Sequence, residues 1–279
     1  MNAPADEKPL PLAVSIVCRN SERTILRTLE SVAGLADQIV AIDSGSTDGT
    51  IGMLRDHGAE VIEREWMGYV RTKQAALVAC DRPWILCLDS DESLEPELRR
   101  SVRATVERDE PQFAGWELNR KIWWAGGFLE YAWQPEWRLR LVRRGRAKWG
   151  GYDPHDALEI VPGEDGGGGD RVGRLRGDLR HDSFETMSEH LSRQVSHSRL
   201  AAKSYVEMGR TASVSKLITS PVGAWLKQMV GRQAWRDGWR GWSAASATAA
   251  ATLMKHLILL EETRSASAKR DDAGEGDDA

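Results

Sequence analysis

Apolar residues gather in short unbroken runs over the first ninety positions, with helically spaced apolar residues between them. LAVSIVC (12–18), QIVAID (38–43), AEVIER (59–64) and WILCLD (84–89) have the length and composition of buried strands. Between the first two, Ile25, Leu29 and Val32 mark a helix over 22–32, with Ser21 placed to cap it. Thr47 or Asp48 opens a second helix that stops at Gly58, and YVRTKQAALVAC (69–80) reads as a third. Strand–helix units with short connections predict an α/β fold built on a doubly wound, mostly parallel sheet.

Past the fourth strand the rhythm changes. Glu95 to Arg108 has helical spacing, while FAGWELNRKIWW (113–124) and LRLVRRGRAKW (139–149) read as strands added antiparallel to the sheet. EDGGGGD (164–170) reads as a flexible loop. From 185 to 262 the spacing is helical, broken near Pro221. The predicted organisation is a loose N-terminus (1–11), an α/β domain (12–184), a helical region (185–262) and a disordered acidic tail (263–279).

Charge alters one inference. The formal net charge is -4, but the last nine residues, DDAGEGDDA, hold five acids and no base, so the folded body sits near neutrality. A nucleic-acid partner is not expected of such a body. Cys18, Cys80 and Cys87 are too few for a disulfide framework or a zinc site, and two of them fall in predicted strands, which points to core packing in a reducing, cytosolic compartment. No signal peptide is read at the start, and the uncharged stretch 241–254 is short of a membrane span. Twelve tryptophans against three phenylalanines is the one compositional oddity. Those around the middle of the chain could stack on sugars or bases, though core packing explains them equally.

Ligands of open parallel sheets bind beyond the carboxyl ends of the strands. Here those ends carry Arg19 and Asn20, then DSGSTDGT (43–50), Glu63 to Glu65, and DSDE (89–92). Asp89, Asp91 and Glu92 crowd three carboxylates onto the end of a buried strand, where they repel unless a cation or water stands among them. An isolated D-x-D is weak evidence; one placed after the fourth strand, with a second acidic loop after the second, is stronger.

SIVCRNSERTILRTLESV, QIVAIDSGSTDGT and WILCLDSDES together resemble the opening motifs of family 2 glycosyltransferases, which have the GT-A fold. The likeness covers roughly residues 12–160. REWMGYVRTKQAAL, WQPEWRLRLVRRGRAKW, PHDALEI and VGRLRGDLRHDSF are similar to the lipopolysaccharide-core β-1,4-glucosyltransferase branch, whose chains also end in a helical segment. The resemblance implies a nucleotide-sugar donor, usually UDP-linked, a saccharide acceptor that is lipid-linked or part of the lipopolysaccharide core, Mg²⁺ or Mn²⁺, and inversion at the anomeric carbon. It implies Asp91 as metal ligand, with Asp89 touching the metal, its bound water or the ribose, and Glu92 set aside. Asp43 and Asn20 would border the base or ribose, against the alternative that both are turn residues. Arg71 and Lys73 would approach the diphosphate, with Gln74 where many relatives have Asn. His181 would complete the metal shell, against a structural role.

An inverting transfer needs a carboxylate base for the acceptor hydroxyl. Glu136 is the first candidate and Asp156 the second, with a salt bridge as the alternative for each; His155 would orient base or acceptor. Six bases between Arg138 and Lys148 suit an anionic acceptor or simply a solvated face. Trp235, Trp239 and Trp242 share one helical face and Arg232, Arg236 and Arg240 another, a pattern for an anionic membrane surface, intramolecular packing or a dimer. The resulting expectation is a cytoplasmic enzyme, peripheral on the inner face of the cell membrane. A sugar-phosphate nucleotidyltransferase and a non-catalytic nucleotide-sugar-binding protein are its rivals. The first should carry a Gly-rich signature where this chain reads CRNSER.

Overall fold

The four apolar runs become the parallel half of one sheet: β1 (Leu10–Cys18), β2 (Ala36–Asp43), β3 (Glu60–Glu63) and β4 (Trp84–Asp89). The computed structural model describes residues 8–152, 155–163 and 169–274. β1 lies between β2 and β4, pairing Val14 with Ile39 on one side and with Leu86 on the other, and β3 flanks β2. A parallel strand covered on both faces is apolar throughout, which is why these runs do not alternate. α1 (Glu22–Val32) and α2 (Thr50–Asp56) cross over one face, where Ile25, Leu29 and Leu54 bury against Leu12, Val14 and Ile16. α3 (Tyr69–Ala79) covers the other, with Leu77 against Ala13, Ile85 and Cys87.

Capping departs from the expectation. Ser21 makes no side-chain cap to α1. Instead Asp48 accepts the Glu22 N–H at 3.2 Å on one oxygen and the Thr50 N–H at 3.0 Å on the other. One carboxylate starts two helices, so the loop after β2 is tied to the loop after β1.

Beyond β4 the sheet turns antiparallel. β5 (Glu92–Leu94) and α4 (Pro96–Arg108) are followed by β6 (Phe113–Trp124), the short β7 (Gly127–Phe128) and β8 (Trp137–Arg143). β9 (Ala147–Tyr152), β10 (His155–Ile160) and β11 (Arg171–His181) complete the strands. The main order is β3-β2-β1-β4-β8-β6-β11-β5, with β9 and β10 forming a separate hairpin. Residues 139–149 are therefore not one strand. Gly145, at φ 77°, turns the chain between β8 and β9, so Arg144, Arg146 and Lys148 do not share a strand face. Residues 1–7 and most of the predicted glycine loop, 164–168, lie outside the described residues.

The chain divides into an α/β unit, up to Ile122 with Pro135–Asp182, and a helical unit, Trp123–Gln134 with Ser183 onward. The helical unit thus begins near the expected boundary but also takes a segment out of the middle of the sequence. The side chain of Asp237 binds that segment, accepting the backbone N–H groups of Glu130, Tyr131 and Ala132 at 3.0, 3.0 and 2.8 Å. α5 (Met187–Glu207), α6 (Lys216–Leu226) and α7 (Trp239–Gly274) make up the rest, with a π turn at Lys227–Gly231 and a 3-10 turn at Ala234–Asp237. Pro221 sits inside α6 without breaking it. The breaks lie near Gly209 and Gly238, whose φ of 70° and 60° suit glycine. α7 also runs through 263–274, correcting the expected disordered tail there: after Glu262 no Gly or Pro occurs before Gly274, and Ala, Arg and Lys propagate a helix. Its Trp239–Arg264 stretch has the length and composition to cross a membrane, so the expectation that this region is too short holds only for the uncharged residues.

Gly177 shows how tightly β11 is placed. It has φ 88°, and a Cβ there would stand 2.3 Å from the Leu98 backbone nitrogen. Gly177→Ala should destabilise the fold by about 2–5 kcal/mol in urea titration, combining strain and overpacking. Gly52→Ala, inside α2 with open space around the new methyl, should instead stabilise by about 0.5–1 kcal/mol.

Candidate active site

The carboxylates that end β4 are held by cations of the protein itself. Asp89 Oδ1 lies 2.6 Å from Lys73 Nζ, and Oδ2 accepts a hydrogen bond from Arg140 at 2.9 Å. Lys73 also reaches Asp156 at 2.8 Å. Arg140 also pairs with Glu92 at 2.7 Å, and Arg120 joins Glu92 to Glu136 at 3.4 and 2.7 Å. Arg138 closes the series on Glu136 at 2.7 Å. Acid and base alternate through Asp156, Lys73, Asp89, Arg140, Glu92, Arg120, Glu136 and Arg138. Glu92 is fully buried and Arg140 nearly so. Burial opposes the charges of Lys73, Asp89, Arg120, Glu136 and Arg140, and each survives through its neighbours. Burial disfavours ionised Asp89, but Lys73 and Arg140 hold its pKa well below the carboxylate range. Burial likewise works against charged Lys73, which Asp89 and Asp156 outweigh, raising its pKa.

Asp91 stands apart from that series and faces the end of β11. Its Oδ2 is 3.4 Å from His181 Nε2, and burial, which opposes its charge, is outweighed by His181, so its pKa is lowered. The Asp182 N–H donates to the Asp91 carbonyl at 2.9 Å, fastening the two loops together. Among the described residues no three His, Cys, Asp or Glu side chains are arranged around a metal. The Asp91–His181 pair nevertheless fits two donors of one divalent ion whose remaining ligands are phosphate oxygens and water. The His181 Nδ1 is buried without a hydrogen-bond partner among the described residues. Asp89 fits less well as a ligand, because both its oxygens already face cations.

After β2, Asp43 has no exposed surface. Its Oδ1 accepts the Gly45 and Ser46 N–H groups at 2.9 and 2.8 Å, and its Oδ2 accepts the Ser46 hydroxyl and the Cys18 thiol. It presents the Asx turn that was its alternative reading. Asn20, at φ 50°, accepts the Thr47 N–H at 2.8 Å while its own N–H donates to Ser46 Oγ at 2.8 Å. Both residues shape the 44–47 loop. Arg71 is exposed on the first turn of α3 with no hydrogen-bond or ion-pair partner among the described residues. Gln74 accepts the Trp149 N–H at 2.8 Å, tying α3 to β9.

The two base candidates separate clearly. Arg120 grips both oxygens of Glu136, at 3.0 and 2.7 Å, and Arg138 adds two bonds. Burial would raise its pKa, yet Arg120 and then Arg138 bring it down to about 2. A carboxylate so stabilised holds its charge strongly and takes up a proton less readily. Among the described residues, Asp156 pairs with one cation, Lys73. The His155 side chain lies outside the described residues. The basic run is also reassigned: Arg140 is internal, Arg143 binds Asp109 at 2.7 Å and stacks over Trp84, and Arg146 pairs with Asp170. Sequence reasoning missed Arg120, Arg140 and Glu92 as members of the site. Period-two alternation did put Arg138 and Arg140 on one face of their strand, but nothing in it said that the strand joins the sheet beside β4.

Two outcomes follow from this geometry. Arg140→Met, which strips buried Glu92 and half-buried Asp89 of their shared cation, should cost about 3–5 kcal/mol in denaturant titration. The Glu136 contribution is fully present above the unfolded pKa of 4.5 and lost as pH falls toward 2. Glu136→Gln should therefore lie below wild type in stability at pH 7, with the gap closing across that window in pH-dependent urea melts.

The profile of the family described as glycosyl transferase family 2 matches residues 13–147. The lipopolysaccharide core biosynthesis glycosyltransferase LpsC of Rhizobium meliloti is 32% identical over 249 residues, covering 85% of this chain and 87% of LpsC. An uncharacterised glycosyltransferase of Rickettsia typhi is 25% identical over 90% of this chain and 87% of its own. Glucosyl-3-phosphoglycerate synthase from Mycobacterium tuberculosis, crystallised with Mn²⁺, UDP and glucosyl-3-phosphoglycerate, superposes loosely, at TM-score 0.42 and 19% identity over 75% of this chain and 82% of that one. With a relative matched almost end to end and the family's motifs on the strand ends that form the site, the chain belongs to glycosyl transferase family 2 and has the GT-A fold.

Proposed function

We propose that this chain moves a sugar, glucose by the branch it resembles, from a UDP-linked donor to a saccharide of the lipopolysaccharide core, with inversion. The observation that carries the reading is the meeting of Asp91 with His181, 3.4 Å apart, two residues along from Asp89, which holds the buried cations Lys73 and Arg140. Two metal donors beside two buried cations suit a nucleoside diphosphate held through a divalent ion. The acceptor class is supported by the likeness to LpsC over 85% of the chain.

Asp91 and His181 would hold Mg²⁺ or Mn²⁺, which when bound neutralises charge on the departing diphosphate. Lys73 and the exposed Arg71 attract the phosphates from α3. Asp43 and Asn20 keep the 44–47 loop in shape beneath the nucleoside. In the transfer, the acceptor hydroxyl oxygen bonds to the anomeric carbon as the carbon–oxygen bond to the diphosphate breaks. UDP leaves with that electron pair, and the hydroxyl proton passes to Asp156. Phosphate arriving at Lys73 gives that ammonium a third anion beside Asp89 and Asp156 and loosens its hold on Asp156, which leaves the carboxylate free to accept the proton.

A thermal-shift panel of UDP-, GDP-, ADP- and CMP-sugars, with and without Mn²⁺, tests the donor. UDP-sugar at a hundredfold its Kd should stabilise the fold by about 2.7 kcal/mol, only with metal, and Asp91→Ala should abolish the shift. Silence from every nucleotide at millimolar concentration overturns the reading. For the base, Asp156→Asn should lower kcat about 10²–10⁴-fold with donor binding kept, and Glu136→Gln should lower it far less. The opposite ranking would return the role to Glu136.

A further inference from the structure

We infer that the helical unit carries a docking surface for anionic lipid, centred on α6 and independent of donor binding. Ile218, Val222 and Leu226 follow one another at four-residue steps along α6, and Val230 continues the series through the π turn. A spacing of four keeps side chains on nearly one face. These residues are 69%, 53%, 46% and 71% exposed, and Val214, just before the helix, is 64% exposed. α6 has no buried residue at all. Trp235, Trp239 and Trp242 follow it, each more than half exposed. The three do not share a helix face, since Trp235 lies in the 3-10 turn and the other two open α7.

Charge selects the occupant. From Met208 to Arg236 the chain has no acid and five bases. Arg210, Lys216, Lys227 and Arg236 are exposed among them. The next acid, Asp237, is turned onto the backbone of residues 130–132. Arg232 and Arg240 are committed to the carbonyls of Gln134 and Ala125 at 2.8 and 2.7 Å, so the free cations are those beside the apolar stripe. A second copy using the same surface would set base against base, because a two-fold interface is self-complementary. An anionic bilayer answers both features: acyl chains take the aliphatic stripe, headgroups take Lys216 and Lys227, and the indoles suit the boundary. α7 is long enough to span, but it buries Ala244, Ala245, Ala247 and Leu259 and carries Lys255 and His256 in its middle. It belongs to the folded unit, and the surface lies on the lipid.

The full chain, without donor, should co-sediment with phosphatidylcholine vesicles containing phosphatidylglycerol, weakly with phosphatidylcholine alone, and be released by high salt. Lys216→Gln with Lys227→Gln should weaken binding about thirtyfold, at roughly one headgroup interaction per charge. Ile218→Ser with Val222→Ser should weaken it at least tenfold and remove the blue shift of tryptophan emission, while circular dichroism and UDP-sugar thermal shifts stay those of wild type. No binding to anionic vesicles, binding indifferent to both double variants, or release only by detergent overturns the inference. So does a dimer in sedimentation equilibrium that the Ile218→Ser, Val222→Ser variant dissociates. A failed nucleotide shift leaves this test untouched, and failed vesicle binding leaves the transferase reading untouched.

Discussion

The alternating chain of charges running from Asp156 to Arg138 is what the rest of the α/β unit is arranged around. A carboxylate at 0% exposure, as Glu92 is, cannot keep its charge without a cation in direct contact. Its cations arrive from separate elements: Arg140 from β8, Arg120 from β6, and for its neighbour Asp89, Lys73 from α3. The antiparallel strands added after β4 thus do more than widen the sheet. β8 has to lie directly against β4 for Arg140 to reach both Asp89 and Glu92, and Ile85 pairing with Val142 fixes that register. Folding and site assembly are the same event here. The entering diphosphate of the proposed reaction meets cations already desolvated and oriented, which is where electrostatic catalysis is strongest.

That arrangement also decides which acids can act. Glu136 and Asp156 end the series on opposite sides, one with two guanidiniums and the other with one ammonium. A guanidinium in a bidentate grip fixes a carboxylate in its ionised form, as it does here for Glu136. An ammonium on a flexible stem can be drawn to another anion. Asp91 escapes the series because the turn after β4 points it to His181, the last residue of β11. Three acids within four positions therefore have three different fates, set by which element each side chain meets.

Much of this was legible in the sequence at the level of backbone. The unbroken apolar runs gave β1 to β4 within a few residues, and the strand-end rule put attention on Asp43, Asp89 and Asp91. What stayed illegible was pairing. Arg140 looked like one base in a solvated run, since local spacing cannot show that its strand enters the sheet beside β4. β5 and most of β11 are too short or too polar to announce themselves, yet β11 delivers His181. Asp43 was marked as a ligand by position, but its fate depended on hydrogen-bond geometry in the next three residues.

The two units handle charge and apolar surface in opposite ways, and the sequence shows both once the structure is known. In the α/β unit ionised groups are drawn inward and neutralised pairwise. In the helical unit the acids disappear from a long stretch, the bases stay outside, and valine, isoleucine and leucine are left in solvent on α6. One side of α6 packs on α7, where Trp225 meets Trp242 at 5.7 Å, so tertiary contact sustains the helix, and it is the opposite side that is left in solvent. The exposed aliphatic side of such a helix suits a surface that covers it, and the uniform positive sign beside it matches a negatively charged one.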